Sequence, residues 1–273
     1  MVGKFIDVEK IILDKNPRLL KRLPRFIINY LKKILWEDDV NRIIADNQGV
    51  SGIQFCKNAI QEFNIDVKII GIENAPKTGG VIFASNHPLG GFDALGFVDQ
   101  FSKYRSDIKF IVNDILLNLQ PMRDIVVGVN KHGSTASQSL KNIDNVFSNN
   151  EAVVIFPSGF VSRKKKGVVK DLEWKKTFVT RARKYKVPIV PVHIQGELSP
   201  FFYRLSRLRE FLGIKTNIEM LFLVNELFKQ RNTSIKIIFG EAIQPEILDT
   251  TIRKDIEWAA FIKDVAFNLK DKA

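Results

Sequence analysis

The sequence predicts an α/β protein: a largely parallel central sheet with flanking helices, preceded by an N-terminal helical segment. Three observations predict it. Seven short β-rich runs follow residue 65, and helix-period stretches alternate with several of them, the rhythm of parallel strands joined by crossover helices. Residues 1–65 hold no such run and instead place apolar side chains at steps of three and four. The 273 residues suffice for one large core plus a helical extension, with no internal repeat or low-complexity linker. The chain therefore divides into a helical segment over 1–65 and an α/β domain over 66–273.

In the first segment, "RLLKRLPRFIINYLKKILW" sets Leu20, Leu23, Ile27, Leu31 and Ile34 on one stripe, with Lys21, Arg22, Arg25, Lys32 and Lys33 mostly elsewhere. Pro24 breaks the stretch and opens a new helix. The pattern suits a helix packed on the core, and equally a basic helix lying on anionic lipid. Cys56 falls in the apolar-periodic stretch "GIQFCKNAI", which predicts a buried, inert thiol.

Beyond it, the strand candidates are "DVKIIGI", "GVIFASN", "IKFIVND", "IVVGVN", "EAVVIFPSG", "VPIVPVHIQG" and "IKIIFGEAI". Helices are expected over "FDALGFVDQFSKY", "TASQSLKNIDNVFS" and "LEWKKTFVTRARKYK". The two prolines of "VPIVPVHIQG" suit a strand that bends or lies at an edge. Residues 198–231 interrupt the rhythm. "LSPFFYRLSRLREFLGIK" mixes Phe201, Phe202, Tyr203 and Phe211 with Arg204, Arg207 and Arg209, and the apolar "NIEMLFLVNELFKQ" follows. Such a segment packs on a core, or forms an aromatic and basic surface that meets lipid or walls an acyl chain.

In an open α/β sheet, ligands bind beyond the carboxyl ends of the strands. Three strand ends carry candidate chemistry. After "GVIFAS" come Asn86, His87 and Asp93, and Pro88, Gly90 and Gly91 let the chain turn tightly between the last two. A histidine beside an aspartate can act as a general base, the carboxylate fixing its tautomer and stabilising the imidazolium. After "EAVVIF", Ser158, Gly159, Ser162 and Arg163 offer backbone amides and a guanidinium to a phosphate, while Lys164, Lys165 and Lys166 read as a solvated loop. The third end, "VGVNKHG", carries Lys131 and His132.

Composition narrows the classes. A single cysteine excludes a disulfide framework and fits a reducing compartment. His87, His132 and His193 lack the paired spacing of a zinc site, and no P-loop, dinucleotide fingerprint or G-x-S-x-G elbow occurs. A formal charge of +12 favours an anionic partner. With no basic recognition helix or RNA-binding signature, nucleic acid is not the expected one. The first residues do not form a signal peptide, and no apolar run approaches the ~20 residues that span a bilayer, so a membrane role would be peripheral.

The order "NHPLGGFD", then "FPSGFVSR", then "VPIVPVHI" resembles the glycerolipid acyltransferases of the lysophosphatidic acid acyltransferase superfamily, and more narrowly the bacterial branch labelled putative hemolysin. The resemblance covers about residues 66–245, and "LPRFIINYLKKI" extends it towards the N-terminus. It implies that His87 deprotonates the acceptor and Asp93 orients His87, with no covalent acyl-enzyme. It places Asn86, Ser158, Gly159, Arg163 and Lys131 at the acceptor. Departures are visible. Five residues separate His87 from Asp93 where the broad family has four, a spacing the narrow branch shares. Ser158 stands where the broad family has glutamate, Phe160 where a polar residue is common, and Lys131 is the nearest match to an expected arginine. These departures point away from a glycerol-3-phosphate acceptor and towards another lysolipid, a lyso-amino-acid lipid among them.

The resemblance thus implies an O-acyltransferase that moves a fatty acyl group from an acyl carrier protein or coenzyme A thioester to a lysolipid, without metal or organic cofactor. It would work as a peripheral protein on the cytoplasmic face of the cell membrane. The alternative is a non-catalytic, hemolysin-like membrane binder, which gives the His87–Asp93 pair no role.

Overall fold

The computed structural model describes residues 4–113, 117, 119–129 and 136–272. The helical segment comprises α1 (Val8–Lys15), α2 (Pro17–Arg22), α3 (Arg25–Ile34), α4 (Glu37–Asp46) and α5 (Gly52–Glu62). Pro24 separates α2 from α3, as its missing N–H and fixed φ dictate. The Leu20–Ile34 stripe turns inward: Leu20, Leu23, Ile27 and Leu31 are half-buried and Ile34 is buried. The apolar side chains that α3 shows to solvent are instead Phe26 and Tyr30, 72% and 54% exposed. Glu9 pairs with Lys32 at 2.6 Å and lies 3.6 Å from Arg25. Trp36 stacks on Phe228 at 4.1 Å and ties the segment to the rest of the chain.

All seven expected strands form, in one sheet: β1 (Asp66–Ile70), β2 (Val81–Ser85), β3 (Ile108–Asn113), β4 (Val126–Val129), β5 (Ala152–Ile155), β8 (Ile189–Gln195) and β9 (Ser234–Phe239), in the order β1-β9-β8-β2-β5-β3-β4. Every neighbouring pair is parallel except β8 with β9. The helices between them are α6 (Gly91–Phe101), α7 (Ala136–Ser148), α8 (Thr177–Tyr185), α9 (Pro200–Phe211) and α10 (Leu223–Lys229), and α11 (Asp255–Asn268) follows β9.

Side chains alternate across each strand, so β2 sends Val81 and Phe83 to one face and Ile82 and Ala84 to the other. The first face packs on α5 and α6 through Phe55, Cys56, Ala59, Phe92, Phe97 and Phe101. The second packs on α7, α8 and α11 through Phe147, Phe178, Trp258 and Ile262. Helices α4 and α5 therefore share the core of the sheet. Cys56 is wholly buried, and burial pushes its thiol up, as expected of an inert cysteine.

Two expectations change. The strand with two prolines is central rather than at an edge. Pro191 is tolerated because β9 has left the ladder opposite it: Phe239 pairs with Val192, and Gly240 N–H donates to the Pro191 carbonyl. The basic loop after Ser162 is also not irregular. It forms an antiparallel hairpin of β6 (Arg163–Lys165) and β7 (Val168–Lys170).

Candidate active site

The three motifs meet because their strands are neighbours: β2 lies between β5 and β8 in the sheet. The chain leaves β2 at Ser85 and enters α6 at Gly91. Gly90, with φ +70° and ψ −121°, makes that turn in a conformation closed to residues with a Cβ. Asp93 then sits in the first turn of α6 with no solvent exposure. Its carboxylate lies 2.7 Å from Nδ1 of His87 and accepts the Leu89 N–H at 3.0 Å. Burial pushes the Asp93 carboxyl above its usual range, opposed by the bonds from His87 and Leu89. Both neighbours donate, which suits an acceptor-only carboxylate. Nδ1 of His87 then carries the proton, and Nε2 is left with its lone pair. The ring is held flat against Phe156 at 4.2 Å, and its side chain is 20% exposed.

The expected acceptor contacts are arranged differently. Asn86 is buried and staples β2 to β8: its amide donates to the Ile194 carbonyl and its oxygen accepts the Ile194 N–H, at 2.9 and 2.7 Å. Ser158 Oγ donates to the Phe160 carbonyl at 2.7 Å. Gly159, at φ +70°, turns its N–H back onto the Phe156 carbonyl. The Arg163 guanidinium is 6% exposed; it pairs with buried Glu219 at 2.9 Å and donates to the Val161 carbonyl. Arg209 of α9 lies 3.0 Å from the other Glu219 oxygen. The sequence suggested that Arg163 and the Gly159 amide face an anion. The structure instead turns both inward, because one sits in a low-dielectric pocket beside a carboxylate and the other closes a turn. Lys131 and His132 lie outside the described residues.

Sequence reasoning missed Asp171. It is 6% exposed and stands where β7 ends. It accepts from Ser162 Oγ at 2.5 Å, from Trp174 Nε1 at 2.8 Å and from the His87 N–H at 3.3 Å. Ser162 N–H in turn donates to the His87 carbonyl at 2.8 Å. Asp171 thus clamps the main chain of the catalytic candidate to the second motif. Its signal in the sequence was only a lone acid after a run of lysines.

A buried carboxylate beside an imidazole at the carboxyl edge of an α/β sheet is an arrangement able to take a proton from a bound hydroxyl. The chain belongs to the acyltransferase family: residues 10–272 match the family described as Acyltransferase. By that membership it is an acyltransferase. It is 39% identical over 267 residues to the lyso-glycine lipid O-acyltransferase of Bacteroides thetaiotaomicron, covering 97% of each chain. It is 38% identical to the lyso-glycine lipid O-acyltransferase of Phocaeicola vulgatus, covering 97% of this chain and 95% of that one. The fold is similar to the crystal structure of the 1-acyl-sn-glycerophosphate acyltransferase PlsC from Thermotoga maritima, with a TM-score of 0.52, 20% identity, and 90% and 89% of the two chains covered.

Proposed function

We propose that the protein transfers a fatty acyl group from an acyl carrier protein or coenzyme A thioester to the hydroxyl of a lysolipid, with a lyso-glycine lipid as the favoured acceptor. The single observation that carries the mechanism is the His87–Asp93 pair at the end of β2. The relatives' acceptor supports the choice of lipid, as do the motif departures from a glycerol-3-phosphate site. Nε2 of His87 takes the hydroxyl proton as the oxygen attacks the thioester carbonyl. The new C–O ester bond forms, the C–S bond breaks, and the thiolate leaves with the proton that His87 returns. Buried Asp93 stabilises the transient imidazolium, and no covalent acyl-enzyme is needed. The reaction as written calls on no metal or organic cofactor.

We place this reaction at the cytoplasmic face of the membrane, where a water-soluble thioester meets a lipid hydroxyl. Among the described residues no helix is long and apolar enough to cross a membrane. Exposed Phe26 and Tyr30 on α3 and Phe211 at the end of α9 support contact with a lipid surface. The test is thiol release by purified protein given an acyl thioester and either a lyso-glycine lipid or lysophosphatidic acid in detergent. Release that depends on the acceptor and on His87 is expected. Release from neither mixture, together with binding or leakage of liposomes, would favour the non-catalytic membrane binder.

A further inference from the structure

Side chains alternate along β8. Val192 and Ile194 point into the core beneath α5 and α6, so His193 between them points to the opposite face, onto Phe267 of α11 at 5.5 Å. There it meets a polar cavity of about 260 Å³. The walls come from the end of β8, the β6–β7 hairpin and the carboxyl end of α11, with Asn86 and Pro88 at one side. His87 does not line it, and its partner Asp93 belongs to α6 on the other face. The cavity is therefore not part of the His87 site.

Its free polar side chains are Lys170, His193, Gln195, Asn268 and Lys270. His193 is 6% exposed, and its Nδ1 has no hydrogen-bond partner. A buried ring nitrogen of this kind is normally met by a protein group, a water or a ligand. The space exceeds the roughly 10–15 Å³ that one water needs. Burial lowers the imidazole to about 4, so the ring is neutral at physiological pH and one nitrogen carries a proton to donate. Lys170 and Lys270 make no ion pair among the described residues, and no carboxylate among those residues lines the cavity. Asp271 acts on His193 from outside it, and Lys270 opposes that effect. The carboxyl end of α11 contributes about half a negative charge, which two ammonium groups outweigh. Two cations, two side-chain amides and an imidazole N–H match an ion with two negative charges and several acceptor oxygens.

We propose that this cavity is a binding site for a phosphate group, separate from the acceptor site. The ion would join three elements that are distant in sequence, with Lys170 of the hairpin, His193 of β8 and Lys270 beyond α11 meeting on its oxygens. A phosphate suits the two lysines better than a carboxylate does, because its second charge leaves neither ammonium unmatched. This inference does not depend on the acyltransferase reading, since no step of that reaction passes through the cavity.

The test is direct binding to the full-length protein. Inorganic phosphate is titrated at constant ionic strength while the His193 ring resonances are followed by NMR and the melting temperature is recorded. A saturable His193 shift is expected, with a melting temperature that rises over the same concentrations. Lys170 and Lys270 are exposed, so Lys170→Gln/Lys270→Gln should fold normally and bind phosphate roughly tenfold or more weakly. Lys165→Gln/Lys166→Gln removes equal charge from the same hairpin outside the cavity, and should keep the wild-type response. Glycerol 1-phosphate, titrated in the same way, separates two sources. Tighter binding of inorganic phosphate assigns a free ion, and tighter binding of the ester assigns a phosphate carried on a lipid headgroup. No His193 shift with either probe overturns the site. So does a rise in melting temperature without a His193 shift, which places the phosphate elsewhere. Equal weakening in the two lysine pairs also overturns it, as an adventitious ion only, drawn by net charge.

Discussion

Nδ1 of His87 stands 2.7 Å from a carboxylate oxygen of Asp93, a residue with no solvent exposure. Two opposing consequences follow from this contact. In the proposed mechanism the buried charge orients the base and stabilises its protonated form. The same charge is costly to the fold, which is why burial raises the Asp93 carboxyl above its ordinary value of 3.8.

His87→Ala and Asp93→Asn are therefore expected to separate activity from stability. Turnover falls by roughly 10²–10⁴-fold in each, the range of general-base assistance. The sign for Asp93→Asn stability runs the other way. A carboxyl with a raised folded value binds a proton in the fold that the unfolded chain releases, so stability is lost as pH rises above the unfolded value. Removing the charge should leave the melting temperature at neutral pH equal to or above wild type. The difference should shrink on acidification, as wild-type Asp93 takes up its proton. Melting curves across pH check this, and a variant gap that widens in acid would contradict the buried-charge account.

Asp171→Asn should lower kcat without removing the base. Its carboxylate fixes the His87 N–H and Ser162 Oγ, and small misplacements at a reacting centre cost up to about 10²-fold. A wild-type kcat in Asp171→Asn would reduce Asp171 to a packing role.

Arg163→Ala is expected to damage the fold rather than acceptor affinity alone. The guanidinium and Glu219 are both buried. Without Arg163, Glu219 keeps only Arg209, at 3.0 Å, so the loss should stay below the ~3–5 kcal/mol of a buried charge left with no partner. Arg163→Ala/Glu219→Ala should recover part of that loss. Chemical denaturation of the two variants makes the comparison. A single variant of wild-type stability but raised acceptor KM would restore the acceptor contact suggested by the sequence.

The sheet was legible because each strand's apolar run is bounded by turn residues, and alternation with helices leaves few topologies. His87 and Asp93 were legible because one turn separates the loop after β2 from the first turn of α6, so local spacing reports their contact. The partners of Arg163 were not. Glu219 lies 56 positions away on the segment carrying α9 and α10, and nothing local marks that distance as a contact. Asp171 was hidden for the same reason, its partner His87 being 84 positions earlier. The helix α11, whose Trp258 and Ile262 cover one face of the sheet, also escaped the pattern reading of the strand-rich region.

His193 makes stability depend on acid in the sense opposite to Asp93. Its folded value of about 4 lies below the ordinary 6.5. The fold therefore excludes a proton that the unfolded chain binds, and stability present above 6.5 is lost as pH falls towards 4. At about 1.4 kcal/mol per unit, the full loss is roughly 3 kcal/mol. His193→Gln should remove this component. Urea unfolding at neutral and mildly acidic pH measures it, and a variant that keeps the wild-type acid slope would show that His193 is not its source.

The exposed face of α9 gives the last prediction. Phe201, Leu208 and Phe211 are 43%, 53% and 87% exposed, and with Arg204 they fall on one helical stripe. Arg207 is exposed beside them, and Leu212 continues the apolar surface at 58%. A short helix with apolar tips among arginines fits the boundary of an anionic bilayer, apolar groups entering and guanidiniums meeting headgroups. Each large apolar side chain fully removed from water is worth about 1.5–3 kcal/mol. Leu208→Ser/Phe211→Ser should then weaken binding to anionic vesicles by roughly tenfold or more. Arg204→Gln/Arg207→Gln should weaken it mainly at low salt, since screening shortens surface attraction to about 8–10 Å at physiological ionic strength. Transfer to a detergent-dispersed acceptor should persist in both, because neither pair touches His87. The face of α3 gives the internal comparison: Phe26→Ser/Tyr30→Ser tests whether the two surfaces share the membrane. Co-sedimentation at two salt concentrations reads all three variants. Wild-type binding in the α9 variants, with loss confined to the α3 variant, would assign the lipid contact to the N-terminal helices and leave α9 as a solvent-facing helix.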